Sequence, residues 1–234
     1  MALLGTIING ALILAGSILG LFFTKIPERF KETVMHGIGL AVILIGLQMA
    51  FSTDQIIIVL LSLLSGAVIG ELLRLEEGLN RLGEWVGSKF TTKNDEISMS
   101  QGFVTATLIF CIGAMAIIGA LDSGIRGDHE VLITKGILDG FTSLVLTTTL
   151  GFGVMFSVIP VVVYQGAIAL FATQIDRLLP EVFLEGLIVE VTAVGGLLIV
   201  AIGLNMLKLT KIRIGNLLPS ILTLVLIYYI YQLF

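Results

Sequence analysis

The chain has 234 residues, 56% of them hydrophobic and only 13% charged, with a mean hydropathy of +1.08 and a net charge of −4. A soluble domain is nearer a quarter charged, so this composition points to a polytopic, all-α integral membrane protein with no room for a separate soluble domain. The acidic balance and the lack of a basic stripe exclude nucleic-acid binding, and a lone cysteine, Cys111, excludes an intrachain disulfide or a cysteine-rich metal site.

In chain order the apolar runs predict about eight transmembrane helices, at 3–24, 34–52, 55–74, 101–121, 131–150, 152–175, 183–207 and 213–233. The opening MALLGTIINGALILAG lacks a basic leader, so it reads as a retained first span and not as a cleaved signal peptide. After the third span, Leu75, Leu79, Leu82, Trp85 and Val86 follow a three-or-four spacing that predicts an amphipathic helix at the interface, anchored by Trp85. Glu71, closing the third span, is expected to pair with Arg74.

Orientation follows from the basic residues. With the N-terminus outside, the inner loops hold Lys25, Arg29 and Lys31, then Arg74, Arg81, Lys89 and Lys93, then Lys208, Lys211 and Arg213, while Arg126, Lys135 and Arg177 stay on the outer side. Both termini then face out of a bacterial cell membrane. Two apolar segments meet near Gly151 with almost no loop. A re-entrant 131–150 segment would give seven spans and a weaker bias, so eight is preferred.

An internal repeat runs through the chain. GLAVILIGLQM at 39–49 aligns without gaps on GLLIVAIGLNM at 196–206, and Asn9-Gly10-Ala11 matches Gln165-Gly166-Ala167. The copies are spans one to three and six to eight; displaced by an odd number of spans, they would insert with opposite orientation, as in many secondary transporters. The chain is read as one transmembrane domain, 1–234. It comprises a repeat unit 1–75, an interfacial helix and linker 76–100, central spans 101–150, and a repeat unit 152–234.

Several runs together resemble a bacterial family of multi-pass membrane proteins, YdfK/YqgA-like. They are GTIINGALILAGSILGLFF at the start, FCIGAMAIIGALDSG at 110–124, GDHEVLITKGILDG at 127–140, LGFGVMFSVIPVVVYQG at 150–166 and GLLIVAIGLNML near the end. The resemblance covers nearly the whole chain and implies an integral membrane protein without a cleaved signal, but no substrate. Phe152 departs from the pattern, in which a smaller aliphatic residue is usual.

The main functional candidate is the stretch KGILDGFTSLVLTTTLGFG from Lys135 to Gly153. Lys135, Asp139, Ser143, Thr147 and Gly151 are spaced four apart, so on a helix they form one polar row. A carboxylate at membrane depth costs about 2.5–3.5 kcal/mol on insertion scales, so Asp139 should face protein or a wet cavity. Asp139 then serves an ion or proton site, with Thr142, Ser143 and Thr147 as oxygen ligands. The structural alternative is a salt bridge to Lys135 with the hydroxyls bonded back to their own helix.

Four amides, Asn9, Gln48, Gln165 and Asn205, lie in four apolar spans, and the repeat pairs Asn9 with Gln165 and Gln48 with Asn205. They either line a path for a polar solute or join helices. Thr149-Leu150-Gly151-Phe152-Gly153 weakly resembles a potassium-channel filter. Glu185 and Glu190 lie off a common face, so they make no catalytic carboxylate pair, and His36 and His129 make no metal site. GxxxG occurs at Gly16–Gly20 and Gly66–Gly70, faces for tight helix packing within the chain or in a homo-oligomer.

The expectation is therefore a secondary transporter or ion-coupled carrier of a small polar or ionic solute in membrane lipid. No enzyme activity, cofactor or metal is expected. A channel or a non-transporting scaffold is the alternative.

Overall fold

A computed structural model describes residues 2–22, 28–78, 81, 96–111, 114–178 and 180–233. Its main helices are α1 (Leu4–Phe22), α2 (Glu28–Ala50), α3 (Ile56–Leu73), α4 (Glu96–Cys111), α5 (Ala114–Ile125), α6 (Glu130–Leu150), α7 (Val158–Leu178), α8 (Glu181–Met206) and α9 (Pro219–Tyr231), and no strand occurs among the described residues. Lipid offers no partner for a backbone N–H or C=O, and a helix satisfies its own.

Each expected span overlaps helix, but fewer than eight are long and apolar enough to cross a membrane. Among the described residues five stretches qualify, α4 with α5 adds a sixth if that pair, bent by 59°, counts as one, and the second expected span has only a shorter apolar helix, Gly39–Ala50. One of the five, Glu130–Ile175, has 46 residues. At 1.5 Å per residue that is about 69 Å, twice a hydrocarbon core of about 30 Å. It comprises α6, a 3₁₀ segment Gly151–Ser157, and α7. The fourth expected span falls on two helices, α4 and α5, and not on one. The expected interfacial helix through Leu79, Leu82, Trp85 and Val86 lies largely outside the described residues; Leu75 is half-buried in a helical turn.

The contacts divide into two compact units, 1–32 with 83–181 and 33–82 with 182–234.

In the first unit, α1 runs parallel to α6 along its length. Gly5 lies on Leu132, Gly136 on Asn9, Gly16 on Gly140 and Ser143, and Gly20 on Leu144 and Thr147. A methyl on Gly20 would stand 2.5 Å from the Leu144 carbonyl oxygen, and one on Gly16 would overlap that of Gly140. Helices in lipid gain little from hydrophobic burial against each other, so close backbone packing at small residues is what joins them. In the opposite sense, α7 crosses α1, with Gly10 against Val162 and Gly166 against Thr6 and Leu3. The segment after α6 folds back on α4, where Gly153 meets the Met99 backbone. The turn into it needs a positive φ of 74°, which Gly151 adopts without strain.

The second unit pairs α2 with α8 and α3 with α9, both antiparallel. Gly39 meets Gly203 and Gly46 meets Gly196; Gly66 lies on Ser220, Gly70 on Asn216, and Thr223 Oγ1 donates to the Ser62 carbonyl at 3.0 Å. Both GxxxG faces are thus used inside the chain. Outward faces are apolar, as on α3 at Ile56, Leu60, Leu64, Val68 and Leu72, all exposed.

Glu71 does not pair with Arg74. It accepts from Arg213 Nη1 at 2.7 Å and Asn216 Nδ2 at 2.6 Å, while Arg74 takes a left-handed conformation (φ 50°) at the end of α3. The end of α3 is thereby tied to the start of α9.

Gly16→Ala should lower the unfolding midpoint in detergent, with a loss of at least about 1–3 kcal/mol expected of an overpacked contact. Gly37→Ala, where a methyl meets nothing within 4 Å, should leave it unchanged or raise it.

Candidate functional site

The outward face of α6 is apolar: Ile137, Leu138 and Phe141 are 62%, 56% and 70% exposed. Rotating about 100° per residue puts Lys135, Asp139, Ser143 and Thr147 on the opposite face, against α1, and all four are buried. Asp139 therefore points into protein and not at lipid.

Lys135 Nζ donates to Asp139 Oδ1 at 2.9 Å and stands 2.8 Å from Oδ2, with both side chains 8% exposed. Lysine one turn before an acid is the weaker order for stabilising a helix, so the pair is not there for helix propensity. Burying two charges costs several kcal/mol each before their attraction is counted.

Asn9 of α1 faces this pair. Its backbone lies on Gly136, between Lys135 and Asp139, and its amide also interacts with the Asp139 carboxylate. Asn9 Nδ2 donates to Gln165 Oε1 of α7 at 3.0 Å, both residues fully buried. Three helices thus bring Asp139, Asn9 and Gln165 together.

Polar atoms are left over around them. Among the described residues, Asn9 Oδ1, Gln165 Nε2 and Thr6 Oγ1 have no hydrogen-bond partner, nor do Ser17 Oγ and Thr147 Oγ1 further along the α1–α6 contact. Inverting the two amides would still leave one donor and one acceptor unmatched. Buried polar atoms are nearly always paired, so five left over in one region are unusual.

The other expected ligands divide. Ser143 Oγ donates to the carbonyls of Ile13 and Gly140, both at 2.9 Å, and so clamps α1 to α6. Thr142 is half-buried on α6, and Thr148 and Thr149 donate back to Val145 and Leu146. Gln48 and Asn205 lie in the second unit. Gln48 is exposed; Asn205 closes the turn after α8, bonding both N–H and C=O of Ile212 at 2.9 and 2.8 Å and accepting from Thr210. The filter-like Gly151-Phe152-Gly153 is coiled into the 3₁₀ segment and packed on α4. Among the described residues, no group of three or more His, Cys, Asp or Glu is placed to hold a metal ion.

Sequence reasoning passed over Thr6 and Ser17. Their signal was the helical spacing Thr6, Asn9, Ile13, Gly16, Ser17 and Gly20, which puts the polar and small residues of α1 on one face.

Lys135→Met or Asp139→Leu alone should each destabilise the protein by about 3–5 kcal/mol, because the partner charge stays buried. The double variant should recover most of that loss in the same unfolding assay.

Comparison with known proteins gives a coherent picture. The family described as "Protein of unknown function (DUF554)" matches residues 4–229. The chain is 36% identical over 223 residues to "Uncharacterized membrane protein YdfK" of Bacillus subtilis (strain 168), covering 93% of this chain and 92% of that one. It is 32% identical over 223 residues to "Uncharacterized protein YqgA" of Escherichia coli (strain K12), covering 94% and 93%. No solved structure matches it significantly.

Proposed function

The chain belongs to the DUF554 family, and we propose that this membrane protein is a secondary transporter or ion-coupled carrier of a small polar or ionic solute. The observation that carries the reading is the buried Lys135–Asp139 pair, set among the unpaired polar atoms of Asn9, Gln165, Thr6 and Thr147 where α1, α6 and α7 meet. A carboxylate held by a tethered ammonium can exchange that partner for a proton or a cation, and the unpaired amides offer a solute both a donor and an acceptor. In this reading Asp139 is the coupling site. Thr142, Ser143 and Thr147 stand beside it on α6, with Asn9 and Gln165 opposite.

The inverted repeat belongs to the same proposal. Asn9 is hydrogen-bonded to its own mate, Gln165. The Gly10–Val162 contact has its counterpart in Gly166–Thr6, and Gly39–Gly203 has its counterpart in Gly46–Gly196, when the copies are exchanged. Reciprocal contacts of this kind are what a twofold relation produces. Eight spans require α1 parallel to α6 and antiparallel to α7, with α2 antiparallel to α8 and α3 to α9, and these senses agree with the contacts. The basic residues place both termini outside the cell membrane. A C-terminal alkaline phosphatase fusion should then be active, and an inactive one would overturn that orientation.

The Lys135–Asp139 bridge would also suit a non-transporting scaffold, and a flux assay separates the two. A thermal-shift screen of the purified protein against ions and small metabolites should identify a stabilising ligand. Flux of that ligand into proteoliposomes should be abolished by Asp139→Asn and reduced at least tenfold by Gln165→Ala. Undiminished flux in folded Asp139→Asn protein would remove Asp139 from the mechanism.

A further inference from the structure

A second buried carboxyl lies in the other unit. Glu190 is nine residues into α8 and 4% exposed, and among the described residues no lysine, arginine or histidine forms an ion pair with it. Its partner is Thr53, in the turn between α2 and α3. Thr53 Oγ1 stands 2.7 Å from Glu190 Oε1 and 2.8 Å from Oε2, and it accepts from the Gln55 N–H at 2.7 Å. The turn is held on the same helix by Ser52, whose Oγ donates to the Val189 carbonyl at 3.3 Å.

Counting hydrogens decides the state of this group. A hydroxyl has one proton to give and two lone pairs with which to accept. If Glu190 were ionised, both of its oxygens would only accept, and one Thr53 proton would have to serve two contacts of 2.7 and 2.8 Å. If one carboxyl oxygen carries a proton, each contact has its own hydrogen. Thr53 donates to one oxygen, the other oxygen donates to Thr53, and Gln55 fills the remaining lone pair. The protonated form also removes an unpaired charge from a buried place, where it is expensive.

The surroundings agree. Asp54, on the same turn, interacts with Glu190 as a like charge. The titratable groups offered by α9 are Tyr228, packed on Gly186, Tyr229, against the Phe183 ring, and Tyr231, bonded to Gln55 at 3.2 Å.

We propose that Glu190 is a proton-binding site of the second unit, carried as the neutral acid and latched by Thr53. Releasing its proton to water leaves a carboxylate whose two oxygens must share the single Thr53 hydrogen. Proton release therefore loosens the hold of Glu190 on the 52–55 turn. This site does not rest on the Asp139 reading.

Infrared spectroscopy of the purified full chain at neutral pH tests it. A protonated-carboxyl C=O stretch is expected in the wild type, retained in Asp139→Asn, lost in Glu190→Gln, and shifted in Thr53→Val, which removes the hydroxyl. Should Glu190→Gln fail to fold, the Thr53→Val shift alone decides. A spectrum that neither substitution changes overturns the proposal, as does a Glu190 carboxylate signal that responds to added sodium or potassium. Loss of transport in Asp139→Asn with the Glu190 band intact would leave this proposal standing, whatever becomes of the other site.

Discussion

Two opposite charges one helical turn apart, sealed into a bundle that lipid surrounds, set the terms for the first unit. Neither charge can face acyl chains, so α6 must present that face to protein along its length. The partner is α1, and the fit depends on glycine: Gly16 and Gly20 of α1 and Gly136 and Gly140 of α6 let the two backbones touch. Any side chain at those places would part the helices and open the pair to lipid. Packing and electrostatics are therefore one requirement here.

The same small-residue logic recurs in the second unit, where Gly39, Gly46, Gly196 and Gly203 form a reciprocal set between α2 and α8. The two units differ in what they do with buried polar groups. Those of the second unit are largely tied off: Asn205 closes a turn, and Asn216 accepts from the Glu76 N–H and donates to Glu71. Those of the first unit are not, and the unmatched atoms of Asn9, Gln165, Thr6 and Thr147 gather around its ion pair. Satisfied groups hold a fold together; unsatisfied ones beside a charge are where a proton, ion or solute has something to gain. That contrast separates helix-joining amides from site amides, which chemical type alone does not.

Hydroxyl-rich sequence is a poor guide to ligands for a related reason. Ser143, Thr148 and Thr149 all found backbone carbonyls within one turn, as serine and threonine do in helices when nothing stronger competes. The polar row on α6 was real, but its carboxylate is taken by Lys135 and only Thr147 retains an oxygen without a partner.

Sequence by itself determined the class, the helical character of the apolar runs and the side of α6 that turns inward. These follow from hydropathy and from a 3.6-residue period, which are local properties of the chain. Tertiary structure alone decided that Glu71 goes to Arg213 and Asn216 instead of Arg74, and that Glu190 meets Thr53 across 137 positions. The reason is physical. A side chain's partner in a helical bundle is chosen by which backbones come close enough to touch, and that is a relation between helices distant in sequence, which no single stretch of residues encodes.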